Sequence, residues 1–395
     1  MRKAIMRDKQ RNKVKVLLLG GGTQALIISK QLKQSGCEVH IFDENRWTYS
    51  YHTRYAYKRV VAPPTERVEL YLSAIHTYIK EYNIDVLFPM NDETARLLSI
   101  HKEQFNSEVK FVIPDAETFE LGYNKNSLMR LCAELSIPHP KTVDLERSTD
   151  GIIEEIVYPA LIKPNHMTGG RGMKLVQSAD ECRKSLPQIK EQFGPCHLQE
   201  FIPSGGRQIK VQVFLYEGEV FASSVIHKQR YYPENGGSSS CCVTIEDDAL
   251  VQMCAKVLSH IGWVGFADFD LIEDPRDGVV KIMEINPRVP ACIKAAINSG
   301  VDYANMVVDA SIGAPLKRCQ YTAGSKLRHI GFEMLWFMYS KNRFHTNPNW
   351  FDFFSPRLSF QDFSWSDPMP FLFGTLGNIL KMTNSNFRKA KSGLR

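Results

Sequence analysis

The stretch from Asp268 to Arg288 constrains this chain most. An alternating apolar run ends at Asp270, a turn follows at Asp274-Pro275-Arg276-Asp277-Gly278, and a second run from Val279 to Ile285 delivers Glu284, Asn286 and Arg288. Two such runs around a Pro/Asp/Gly turn predict a β-hairpin. Pairing them brings Asp270 and Glu284 close, with Asn286 just beyond. Two carboxylates and an amide oxygen form a hard, all-oxygen donor set suited to Mg²⁺ (or Mn²⁺), a cation usually shared with substrate phosphates. Arg288 adds a fixed cation able to offset charge on a transferring phosphoryl group.

Two segments upstream carry compatible chemistry. Tyr158 to Pro164 is a short apolar strand ending in Lys163, and Gly169-Gly170-Arg171-Gly172 follows it. Glycines there allow a loop to bring backbone N–H groups against an anion without Cβ clashes. Lys163 supplies a point charge to the same phosphates. Cys196 to Ile202 reads as a strand whose end, Glu200-Phe201-Ile202, can present polar groups to an adenine edge.

In this order the motifs resemble the ATP-grasp superfamily. The nearest patterns are the ATP-binding half of the carbamoyl-phosphate synthase large subunit and the D-aspartate ligase-like carboxylate–amine ligases. The resemblance covers roughly residues 14–315. It implies that Lys125, Lys163 and the glycine loop hold ATP phosphates, and that Glu200, Phe201 and Ile202 form the adenine hinge. It implies a metal on Asp270, Glu284 and Asn286, with Arg288 as the phosphoryl cation. Gln208 stands where many members carry an acid, and Asp270 where relatives often have Glu or Gln. Asp268, two residues earlier on the same strand face, is an alternative ligand.

The implied fold is α/β. A basic arm (1–13) leads into a doubly wound parallel-sheet domain (14–120). A two-lobed α+β ATP-grasp domain (121–315, lobes about 121–190 and 196–315) follows, and an aromatic-rich basic extension (316–395) ends the chain. The first domain opens with an apolar strand, Val14–Leu19, then Gly20-Gly21-Gly22 and a helix, with Asp43 at the tip of the next strand. This βαβ unit resembles a dinucleotide fingerprint, but Ala25 occupies the third glycine place. It is read as one wall of the cleft. Asp92 and Glu93, at the mouth of this domain, are read as a helix cap, with orientation of an amine as the other role.

Charge is unevenly placed. Residues 1–15 hold seven Lys/Arg and one acid, and residues 316–395 hold twelve Lys/Arg and four acids, so residues 16–315 carry a net −8. An acidic body with basic ends argues against nucleic-acid binding by the core. Nine cysteines without CxxC pairs, and no signal peptide, point to reduced thiols in a cytoplasm, with a bacterial source inferred from the tail. No apolar run of about 18 residues predicts a membrane span. The extension is read as an aromatic core or lid, with peripheral contact to the inner membrane as the second reading.

The resemblance implies an ATP-dependent ligase that activates a carboxylate as an acyl phosphate and joins it to an amine, of amino acid or amino sugar type. Lys228 and Arg230, beside the Gly-Ser segment 236–240, are read with Arg288 as the substrate's anion contacts, and Lys294 as a residue facing the cleft. Two alternatives are a non-catalytic nucleotide-binding protein tied to a membrane or assembly, and an NAD(P)-dependent oxidoreductase built on residues 14–43.

Overall fold

The computed structural model describes residues 14–105, 108–146, 151–166, 170–234 and 237–383. The basic arm 1–13, Gly169 and the basic end 388–395 lie outside them. The chain divides into two units. The first comprises Met1–Phe119, Lys210–Asp268 and Asn286–Asn378, and the second Glu120–Ile209, Phe269–Ile285 and Ile379–Arg395.

The first unit begins with a parallel sheet of β1 (Lys15–Leu19), β2 (Glu38–Asp43), β3 (Lys58–Val61) and β4 (Val86–Pro89), in the order β3-β2-β1-β4. β1 pairs with both β2 and β4, Leu18 lying against Ile41 and Phe88. Its Val-Leu-Leu-Leu run is buried throughout, as suits a central parallel strand covered on both faces. Strand order reverses at β1, so the carboxyl ends of β1 and β4 flank a switch-point crevice. Gly20–Gly22 and Asn91-Asp92 stand there. The helix Thr23–Gln34 buries Ile28 and Leu32 against Val16, Leu18, Ile293, Tyr303 and Val308.

Asp43 does not reach outward as a ribose ligand would. It is buried, and its carboxylate accepts from the Asn45 backbone N–H at 2.9 Å and the Thr48 hydroxyl at 3.0 Å. The dinucleotide reading therefore loses its acidic residue to the local turn.

In the second unit, β5 (Thr142–Asp144), β6 (Ala160–Pro164), β7 (Lys174–Val176) and β8 (Cys196–Glu200) form an antiparallel sheet of order β5-β8-β6-β7. The helix Ala179–Phe193 is capped by Ser178, whose hydroxyl accepts from the Glu181 N–H. It packs Cys182, Leu186 and Ile189 on Ala160, Ile162, Val176 and Leu198. Successive strand residues face opposite ways. The even-numbered apolar set therefore turns Lys163, His197 and Gln199 to the other face, with Lys163 paired directly to His197.

The remaining strands are β9 (Gln208–Tyr216), β10 (Glu219–Tyr232), β11 (Ser238–Ile245), β12 (Gly265–Glu273), β13 (Val280–Asn286), β14 (Lys326–Arg328) and β15 (Leu358–Phe360). They form one sheet of order β13-β12-β9-β10-β11-β14-β15. β12 and β13 are the hairpin expected from the sequence. Its turn is fixed by Asp274, whose buried carboxylate accepts from Arg276 and Lys281 and is held well below the usual carboxylate range, chiefly by Arg276. The segment carrying Lys228 and Arg230 is strand: β10 and β11 pair antiparallel from Val225–Ile245 to Tyr232–Ser238. The C-terminal extension adds β14 to the edge of β11 and β15 to β14.

Candidate functional site

The second unit gathers Lys125, Lys163, His197, Gln199 and Glu284. Asn124 caps the helix Lys125–Glu134 by accepting from the Asn126 and Ser127 N–H groups, so Lys125 opens the helix. The Lys125 backbone N–H donates to the Asn165 carbonyl at 3.1 Å, and its ammonium lies 3.4 Å from Glu284 Oε2. Lys163 Nζ donates to Gln199 Oε1 at 2.8 Å, and Gln199 Nε2 donates to Thr142 Oγ1 at 3.1 Å. His197 Nδ1 and Asn165 Oδ1 are 2.7 Å apart.

Burial makes this cluster hungry for an anion. Both lysines are buried, while Glu284 keeps a 30% exposed side chain. Burial pushes the Lys163 amine down to about 8, Glu284 opposing and Lys125 reinforcing the shift. His197 is held well below its usual value by burial first, then by Lys163 and Lys125, so it stays neutral. Two buried ammonium groups close together favour an anion such as a phosphate between them.

Lys163→Ala is therefore expected to weaken ATP binding by about 1.5–3 kcal/mol, the scale of a hydrogen bond to a charged group. The wild-type amine loses its proton as pH rises through about 8. Wild-type affinity should then fall between pH 7 and 9, while the alanine variant shows a flatter profile. Calorimetric titration at the two pH values checks both, and an unchanged dissociation constant would remove Lys163 from the site.

The described part of the glycine loop is a tight turn. Gly170 and Gly172 have φ of 75° and 72°, and the Met173 N–H donates to the Gly170 carbonyl at 3.3 Å. A Cβ on Gly172 would lie 2.7 Å from the Phe193 ring and 2.8 Å from Pro164, so only glycine fits. Arg171 is exposed between them.

The Glu200 side chain lies on the sheet face opposite Lys163 and meets Arg276 at 3.2 Å and Lys281 at 3.4 Å. Its N–H and that of Phe201 donate to the Lys141 and Pro159 carbonyls. Ile202 is buried, and Gln208 opens β9 half-buried. The hinge side chain on the lysine's face is Gln199.

The first unit gathers Asp92, Lys210, Asp268, Asn286 and Arg288. Asp268 is fully buried, and Lys210 Nζ donates to its Oδ2 at 2.6 Å. Asn286 Nδ2 donates to the Asp268 carbonyl at 3.3 Å, and Arg288 donates to Asn286 Oδ1 at 3.1 Å. Arg288 also lies 3.3 Å from Asp92 Oδ1 and 3.6 Å from Asp268 Oδ2. Asp268 thus lies between two cations, Lys210 and Arg288. The expected helix cap at Asp92 is replaced by Asn91, which forms a capping box with Thr94 and leaves Asp92 to hold Arg288. Asp270 is half-exposed on β12 in the second unit. Asp270 and Glu284, both in this unit, carry carboxylate oxygens of the hard kind that Mg²⁺ or Mn²⁺ prefers.

Arg230 and Lys228, expected as substrate contacts, and Lys294, expected to face the cleft, have the following surroundings. Arg230 is buried, and its guanidinium donates to both Glu333 oxygens at 3.1 and 2.7 Å and to the Pro348 carbonyl at 2.5 Å. Trp336 lies beneath it at 5.1 Å. That geometry corrects the reading of Arg230 as a substrate grip. Lys228 sits within β10 opposite Cys242. Lys294 donates to the Phe360 and Phe363 carbonyls, and burial pushes its amine down to about 8.

Comparison with known proteins fits this geometry. Residues 123–292 match the family described as ATP-grasp domain. This segment is an ATP-grasp domain. The chain is 26% identical over 245 residues to a D-aspartate ligase from Enterococcus faecium, covering 57% of this chain and 58% of that one. It is 23% identical over 266 residues to a carbamoyl phosphate synthase large chain from Caldanaerobacter subterraneus, covering 63% and 24%. The chain thus spans less than two-thirds of these curated relatives. A Campylobacter jejuni biotin carboxylase solved with β-γ-ATP shares the fold at a TM-score of 0.66 and 17% identity, over 80% of this chain and 76% of that one. The ATP-grasp domain carries Lys125, Lys163, Gln199, Lys210, Asp270, Glu284, Asn286 and Arg288; Asp92 comes from the sheet domain before it.

Among the described residues, no helix is long and apolar enough to cross a membrane. None of the nine cysteines, all described, is in a disulfide.

Proposed function

We propose that this protein is an ATP-dependent, ADP-forming ligase that joins a carboxylate to an amine. The observation that carries the reading is the pair of buried ammonium groups, Lys125 and Lys163, set beside the carboxylate of Glu284 within an ATP-grasp domain. Lys125, Lys163 and the turn at Gly170–Gly172 hold the phosphates. Mg²⁺ bound by Asp270, Glu284 and Asn286 would neutralise phosphate oxygens and polarise the γ-phosphorus. Arg288, fixed by Asp92 and Asp268, meets the substrate carboxylate or the phosphoryl group in flight.

The substrate carboxylate oxygen attacks the γ-phosphorus, and the bond to ADP breaks. The amine then forms a C–N bond to the acyl carbon, inorganic phosphate departs, and the amine gives up a proton. Positioning and charge stabilisation supply the catalysis. Kinship with a D-aspartate ligase favours an amino acid among the substrates.

An ADP-release screen over paired amino acids, sugar acids and amino sugars tests this. ADP and phosphate should appear in equal amounts, and only when both a carboxylate and an amine are present. ATP binding with no turnover across the panel would instead support a non-catalytic nucleotide-binding protein.

A further inference from the structure

We propose that the outward face of the helix Met369–Thr383 is a docking surface for an anionic lipid bilayer. The helix is anchored on its other side. Gly374 and Gly377 lie so close to Tyr49 and Trp47 that a Cβ on either would sit within 2.7 Å of a side-chain atom there. Asn378 Nδ2 donates to the Tyr49 hydroxyl at 3.1 Å, and Phe373 stacks on His52 with ring centroids 4.0 Å apart.

The outward face is apolar. Met369, Leu372, Leu376, Ile379 and Leu380 are all exposed, Leu372 by 58% and Ile379 by 55%. At about 100° per residue they fall within roughly 100° of the helix circumference. A helix on a water-facing surface normally turns polar residues outward. No charged residue precedes Lys381 in this helix. Trp365, four residues before it, is 89% exposed.

Charge indicates what covers this face. After Asp367 the sequence contains no acid, and it contains Lys381, Arg388, Lys389, Lys391 and Arg395. An apolar stripe next to an all-basic segment matches the requirements for lying in an anionic interface, where burial and charge attraction act together. A second copy of the chain would bring a second basic segment against the first, which is unfavourable. The helix is too short to cross a bilayer and is suited to lying in its plane.

Flotation of the full-length protein with vesicles of phosphatidylcholine alone, and of phosphatidylcholine with phosphatidylglycerol, tests the proposal. Binding should appear with the anionic vesicles, fall sharply with the neutral ones, and weaken as salt rises. The variant Leu372→Asp/Leu376→Asp should lose at least about tenfold in partitioning while its unfolding midpoint and ATP affinity stay unchanged. Arg388→Glu/Lys389→Glu should weaken binding with the apolar stripe intact. Absence of flotation with anionic vesicles, or equal flotation of wild type and both variants, overturns the proposal. A wild-type dimer in light scattering that the aspartate variant abolishes would overturn it too, giving the face to a second copy.

Discussion

Glu284→Gln is expected to lower ADP release by at least about 10²–10³-fold, the scale of losing a charge-stabilising group at a reacting phosphoryl centre. Glutamine keeps the length of the side chain and an oxygen for Lys125, now 3.4 Å away, so the fold should persist. It removes a negative charge beside two buried ammonium groups, and with it a proposed metal donor. A second effect follows from the electrostatics. Glu284 raises the proton affinity of Lys163 against the effect of burial. Without it, Lys163 should lose its proton at lower pH, and the fall in ATP affinity should begin below the wild-type value of about 8. Turnover within a few-fold of wild type at ordinary ATP and Mg²⁺ would sink the assignment of Glu284.

Arg230→Ala is expected to destabilise the protein by about 3–5 kcal/mol, the cost of removing one partner from a buried ion pair. The loss leaves Glu333, itself fully buried, without its two-pronged donor, and opens space beside Trp336. Denaturant unfolding measures it. Replacing both partners with apolar residues, Arg230→Met with Glu333→Leu, should recover part of the loss, since the pair is removed together while buried Arg328, 3.8 Å from Glu333, loses a carboxylate neighbour. At temperatures where the single variant stays folded, KM for the carboxylate should match wild type. A stability change below about 1 kcal/mol with a tenfold rise in that KM would return Arg230 to a substrate role.

The contrast between these two residues shows what the sequence could reveal. Lys125, Lys163 and Glu284 were legible because each stands at the end of a locally recognisable element: a capped helix start, an apolar strand end, the second arm of a hairpin. Gln199 follows from strand alternation once Lys163 is fixed, yet Glu200 beside it is the more conspicuous polar residue. The choice between them depends on which face the helix Ala179–Phe193 covers, and that is set by tertiary packing. The pairings of Lys210 and Asp92 were hidden for another reason. Their partners, Asp268 and Arg288, lie 58 and 196 residues away, and no local pattern marks such a pair. Arg230 shows the same limit in reverse: its neighbours in sequence suggest an open basic segment, and its partner Glu333 lies 103 residues on.

The repeated passage of the chain between its two units bears on how such a chain can change over evolutionary time. Residues 123–292 look like a transferable cassette, but moving them alone would take Arg288 away from Asp92 and strip β14 from β11, baring the backbone from Cys241 to Val243. A raw sheet edge invites pairing with other chains. The apolar residues Val289 and Phe214 would likewise lose partners that the flanking segments contribute to their core. Recombination of whole segments is therefore a poor route to new specificity here, and point substitutions around a fixed frame are the better one.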